Sequence, residues 1–277
     1  MSIRWAVLVG LWSCAVAGLG GGGVRGAEQP TAFLSARPVW PKGRQAEMNL
    51  LVGFRAVIEA TSQPQTPVLR VAASTLYRAW VNGEFLGHGP ARAAHGYFRV
   101  DEWPLAGRLR PGKNLVAIEV AGYNVNSYYL LDQPAFLQAE VVSGNQVLAS
   151  TAGAGAGFVA HLLPYRVQKV QRYSFQRPFI EYYRLSPGWD AWFRELDVAP
   201  GAVELEYQPP VALLPRRVPY PDFAVRRAVQ PVGSGVVQHR PRSQGLWKDR
   251  SLVAIGPKLK GFPESELELV VSTEMQQ

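Results

Sequence analysis

The sequence predicts an all-β protein: a jelly-roll-like antiparallel β-sandwich followed by a Pro-rich connector with part of a second β-module. Three observations carry this. Asn82-Gly83 sits between two β-type runs and is the dipeptide best suited to a two-residue type I′ turn, in which both turn residues need positive φ. In Asn114 to Ala121, Val116, Ile118 and Val120 alternate with Leu115, Ala117 and Glu119, the period of a strand. Short runs of this kind recur with turn residues between them, and no amphipathic helical pattern of ordinary length interrupts the chain after its first residues.

The elements follow in order. Residues 28–48 read as an irregular lead-in containing Arg37-Pro38 and Trp40-Pro41. Asn49 to Ala60 is the first long strand, with Leu50, Val52, Phe54, Ala56 and Ile58 on one face. Ser62 to Pro67 is a turn, Val68 to Ala73 a second strand, and the Asn82-Gly83 hairpin follows. Gly96 to Glu102 comes after a loop of Gly, Ala and Arg, and Pro111-Gly112 turns the chain into Asn114. Phe136 to Val142 and Gln146 to Ser150 make a hairpin about Gly144-Asn145. Ala152 to Gly157, a Gly-Ala alternation, reads as a loop. Tyr165 to Val170, Arg172 to Gln176, Phe179 to Leu185 and Val203 to Tyr207 are strand-like, with a compact aromatic turn at Gly188 to Phe193. From Gln208 onward prolines break every run, leaving β-like fragments only at Val225 to Val237 and Leu267 to Ser272. The resulting organisation is a leader over 1–27, a sandwich over 28–207 and the connector with its partial module over 208–277.

Composition bounds the function. With 47% hydrophobic and 18% charged residues, the chain has enough apolar material for a real core. Met1 to Arg4 followed by the apolar run Trp5 to Leu19 reads as a secretory leader, too short and Gly-rich for a membrane span. The expected location is therefore exported, periplasmic or extracellular, with no membrane contact once the leader is cleaved. Cys14 is the single cysteine and lies in that leader, so the mature chain has no disulfide and no thiolate metal site. The formal charge is +8, but the basic residues are scattered rather than gathered on one stripe, which argues against a nucleic-acid partner.

The region Leu76 to Asp132 carries a resemblance. Its string W-V-N-G-E, G-H-G-P-A-R, G-Y-F-R-V-D and L-x-P-G-x-N-x-V-A-I-E-V-x-G-Y-N resembles the galactose-binding-like β-sandwich on the N-terminal side of bacterial α-L-rhamnosidase-like glycoside hydrolases. Arg172 to Phe179 also resembles that region. The resemblance implies a non-catalytic accessory portion, since in those enzymes the catalytic carboxylates sit on a helical barrel that this sequence lacks. It further implies a truncated, split or partial gene product, whose partners are carbohydrate, held weakly, or that missing barrel. A free-standing carbohydrate-binding module and a structural exported β-protein remain as alternatives.

The residues themselves offer no catalytic pair. Glycoside hydrolysis generally needs two carboxyl groups flanking one bond. Asp101 and Glu102 are neighbours on a strand and point to opposite faces. Glu119 and Glu140 alternate with apolar residues and are expected to face solvent. Asp132, Glu181, Asp190 and Glu195 complete the candidates without forming a pattern. The contact candidates are His88, Arg92 and His95 in the GHGPARAAHG stretch, and Tyr123, Asn124, Asn126 and Tyr128 after the Asn114 strand. These polar and phenolic groups can recognise sugar hydroxyls, dock a neighbouring domain or brace their own loops. Two histidines without a third ligand, and no spaced acidic loop, give no metal site and no cofactor. Because rim loops of a sandwich can converge over rigid strand ends, the two stretches are expected to lie close together. Arg172 and Arg177 can pair with a neighbouring domain or remain on the surface.

Overall fold

The computed structural model describes residues 33–61, 66–172, 176–198, 201–236 and 259–269. The leader lies outside the described residues. Fourteen strands are β1 (Val39–Pro41), β2 (Leu50–Ala60), β3 (Val68–Ala73), β4 (Tyr77–Val81), β5 (Glu84–Gly89), β6 (Tyr97–Pro104), β7 (Gly112–Gly122), β8 (Leu137–Ser143), β9 (Gln146–Ser150), β10 (Ala156–Gly157), β11 (Val159–Leu162), β12 (Ala202–Val203), β13 (Leu205–Tyr207) and β14 (Ala212–Pro215). They form two sheets. One runs β10-β9-β8-β3-β6-β14, with β1 joining β8 to β13; the other runs β12-β11-β2-β7-β4-β5. Pairing is antiparallel except for β10 with β9 and β14 with β6. The molecule is an open, all-β sandwich, as the alternation predicts.

The hairpin forms as its turn chemistry requires: Asn82 has φ 50° and Gly83 φ 82°. Between the sheets lies the main core, built from Trp40, Phe54, Ile58, Leu69, Tyr77, Ile118 and Leu137, all at most 2% exposed. Burying a side chain such as Phe54 or Ile58 contributes roughly 1.5–3 kcal/mol.

The second sheet is covered on its other face as well. Leu51, Trp80, Ala117, Ala121 and Tyr123 pack there against Leu163, Tyr165, Phe179, Trp192 and Phe193. Chain packed over the outer faces of the two sheets corrects two expectations. The runs 165–170 and 179–185 do not make strands; only the isolated bridges Arg166–Tyr183, Arg172–Phe179 and Val170–Leu269 form, because the segment is spent wrapping the sheet rather than joining an edge. Part of 172–176 lies outside the described residues. Glu119 and Glu140, expected to face water, are 4% and 0% exposed. Period-two alternation assumes one wet face, and here further chain covers the face on which each lies. Glu140 accepts from the amides of Leu34, Ser35 and Ala36 and from Arg70, while Glu119 pairs with Arg78 and accepts from the Tyr165 hydroxyl.

The aromatic turn expected at 188–193 is a turn leading into one helical turn, α1 (Ala191–Arg194). Arg55 donates to the carbonyls of Glu195, Leu196 and Val198 just after it, holding the cover onto β2. The chain does not leave the sandwich at 207. Ala212 to Pro215 add β14 beside β6, Arg216 pairs with buried Asp101, and the Tyr220 ring packs at a tilt against Trp103. Of the expected fragment 225–237, residues 225–236 form no strand and residue 237 lies outside the described residues; Val225 and Val229 are 82% and 96% exposed, and among the described residues no sheet covers them. Of the expected strand 267–272, Leu269 makes one bridge to Val170, and residues from 270 lie outside the described residues. Among the described residues no helix is long and apolar enough to cross a membrane.

Candidate functional site

β5 ends at Gly89, the Gly89–Pro90 peptide is cis, and the chain returns as β6 at Tyr97. The loop between them is fixed from below. Arg99 donates to the Arg92 carbonyl at 3.2 Å and to the Pro215 carbonyl at 2.9 Å. Asp101, on the same strand, accepts from the Tyr77 hydroxyl at 2.5 Å and from Arg216 at 3.1 Å. Thus Arg99, not Arg92, braces this loop, and the side chains of Arg92 and His95 are exposed.

The second loop leaves β7 at Gly122. Asn124 takes a positive φ of 51° and donates to the Gln45 carbonyl. Ser127 Oγ accepts from the amides of Tyr129 and Leu130 at 3.3 and 3.1 Å, and Asn126 Oδ1 accepts from the Asp132 amide at 2.9 Å. These bonds close a tight turn that throws Tyr128 and Tyr129 outward, 69% and 38% exposed.

The two loops meet. Residues 90–99, 127–131 and 133, with Ala73 to Leu76 as the floor, line a cleft of about 500 Å³. Its lining contains Arg92, Arg99 and His95 and no aspartate or glutamate. Tyr97, 47% exposed, stands at the start of β6 and adds a third exposed ring. Burial lifts the Tyr129 phenol above its ordinary pKa, and the charges of Arg177 and Arg92 oppose that rise.

The contact candidates separate on this geometry. Arg92, His95 and Tyr128 line the cleft. Asn126 is exposed beside it, with its carbonyl held by Arg172. Tyr123 and Asn124 are buried at 3% and 1% exposure and do not reach it. Tyr123 donates to Glu181 at 3.2 Å and lies 4.8 Å from the Arg166 guanidinium, which in turn donates to Asn49. His88 lies on β5 opposite Arg78 and packs edge-on against Phe223, apart from the cleft. Tyr97, Arg99 and Tyr129 are cleft residues that sequence reasoning did not single out. Tyr97 and Arg99 belong to the G-Y-F-R-V-D string and Tyr129 lies within Leu76 to Asp132, but no local signal separates an outward side chain from an inward one beside a loop.

Most of the candidate carboxylates are engaged by the fold. Glu102 pairs with Arg70, Asp132 with Lys260 and Asp190 with Arg194. Burial pushes Glu181 up, but Arg166 and the hydroxyls of Tyr183 and Tyr123 outweigh it, leaving its carboxyl below the ordinary value. Among the described residues no group of three metal-ligating side chains converges. A second cleft of about 340 Å³, lined mainly by Leu163, Tyr165, Trp189 and Trp192, opens between the cover segment and β11.

No family model and no curated protein matches this sequence. Solved structures do. The GH78 family rhamnosidase of Bacillus sp. GL1 superposes with a TM-score of 0.59 at 23% identity, over 67% of this chain and 20% of that one. The α-L-rhamnosidase of Dictyoglumus thermophilum gives 0.47 at 14% identity, over 66% and 22%. The chain therefore shares the fold of one portion of the Bacillus enzyme and spans about a fifth of that enzyme's length.

Proposed function

We propose that this chain is a non-catalytic accessory portion of an exported α-L-rhamnosidase-like glycoside hydrolase, and that the cleft between the 90–99 and 127–133 loops is where it meets carbohydrate. The observation that carries the reading is the fold match, which takes in 67% of this chain yet only 20% of the rhamnosidase chain. An accessory role fits the carboxylates, because Asp101, Glu119 and Glu140 are each buried against partners of the fold and none flanks a cleft as hydrolysis requires. The cleft fits carbohydrate because exposed tyrosines offer an apolar face to sugar C–H groups and a hydroxyl to their oxygens. Export follows from the leader read in residues 1–27.

The test is direct. The purified full chain, incubated with an aryl α-L-rhamnoside, should release no more phenol than buffer. Turnover above that blank, abolished by substituting one of the chain's own carboxylates, would overturn the accessory role.

A further inference from the structure

We propose that the cleft between the 90–99 and 127–133 loops selects glycans carrying carboxylate groups, that is, uronic-acid chains. The inference rests on the accessory reading and names the ligand class of the same site. Its basis is a charge asymmetry inside a cavity that also has aromatic walls. Arg92, His95 and Arg99 line the cleft and no acidic side chain does. The neighbouring carboxylates are engaged elsewhere: Asp132 by Lys260, and Glu181 by Tyr123 and Tyr183. Among the described residues no hydrogen bond is made to the Arg92 guanidinium, whose planar fork matches a carboxylate in two parallel bonds. Arg99 is held at the floor by the Arg92 and Pro215 carbonyls, so its charge is fixed there.

Size and shape favour a glycan over a protein face. About 500 Å³ lies within the range of roughly 300–1,000 Å³ typical of small-ligand sites. A protein interface of ordinary size instead needs about 800 Å² on each partner, usually over a flatter surface. Tyr97, Tyr128 and Tyr129 are exposed in the free chain, and a tyrosine orders only two torsions when a ligand stacks on it. Neutral sugars would use those rings equally well. The cationic lining is what adds a preference for an anion, since it lowers the cost of bringing carboxylates into the cleft and raises it for cations.

The test is the affinity of the full chain for polygalacturonate, for its methyl ester and for dextran sulfate, by calorimetry and by retardation in glycan-loaded native gels. Polygalacturonate should bind, and esterification should abolish most of that binding. Arg92→Ala and Tyr128→Ala should each weaken it by about tenfold, with unchanged thermal midpoints showing that the variants are folded. Equal affinity for the methyl ester would overturn the anion preference, and equal affinity for dextran sulfate would overturn the preference for carboxylate. Binding untouched by both substitutions would reduce the effect to general attraction by a basic chain and overturn the site. No glycan binding, with Arg92-dependent capture of an acidic protein domain, would overturn it in favour of docking. Each of these failures leaves the accessory reading standing, because that reading falls to rhamnoside turnover instead.

Discussion

The buried cluster about Tyr123 and the open cleft about Tyr128 are built from the same residue types within a few positions of chain, yet they do opposite work. Tyr123 is 3% exposed, lies against Arg166 and donates to Glu181. Tyr128 is 69% exposed and stands over a cavity lined by Arg92 and His95. The difference is set by what covers each. The described residues of 163–198 lie across the face of the second sheet and take Tyr123, Glu119 and Arg166 out of water, so Tyr123, Glu119 and the Arg166 terminal nitrogen find partners within the fold while Arg166 Nε has none. Arg92, His95 and Tyr128 stay exposed on the 90–99 and 127–133 loops, although Gln176 and Lys260 bond to the second loop, and the loop bases are held by Arg99 and Ser127. A polar residue in this protein is thus read by its cover rather than by its type.

Three substitutions sharpen or break that comparison. The largest effect is expected at Glu140, which is fully buried and accepts from three lead-in amides as well as Arg70. Glu140→Ala strands those donors and should cost about 3–5 kcal/mol in chemical denaturation. A loss under about 1 kcal/mol would show that the lead-in does not depend on this carboxylate.

Glu181→Gln should have an intermediate effect that depends on pH. The folded carboxyl lies below its ordinary value, so its ionised form stabilises the native state. That contribution is fully present above the unfolded value and is lost as pH falls through the folded one. The variant should therefore be less stable than the parent at neutral pH, and the gap should close as the carboxylate range is crossed downward. Thermal midpoints of both proteins across that range check this; a gap that stays constant would detach Glu181 from Arg166 and the tyrosines.

The smallest effects on stability belong to the cleft. Arg92→Ala and His95→Ala remove exposed side chains, and each should change unfolding free energy by no more than about 0.5 kcal/mol. A loss above about 1.5 kcal/mol, comparable to removing a hydrogen-bonded charge, would mean that these residues brace the loop after all.

What the sequence by itself determined is what neighbours along the chain decide. The Asn82-Gly83 turn, the long strands at 50–60 and 112–122, and the 137–150 hairpin all follow from turn dihedrals and side-chain alternation, which are local. The convergence of the two rim loops was legible too, because both leave strands of one sandwich. The tertiary structure alone decided which sheet faces stay wet. It buried Glu119 and Glu140, spent the described residues of 163–198 as cover rather than strand, and carried the chain past 207 to pair Arg216 with Asp101. It also separated the outward Tyr97, Tyr128 and Tyr129 from the inward Tyr123. Burial is a sum over contacts made by residues distant in sequence, and a loop has no fixed period that would announce those contacts in advance.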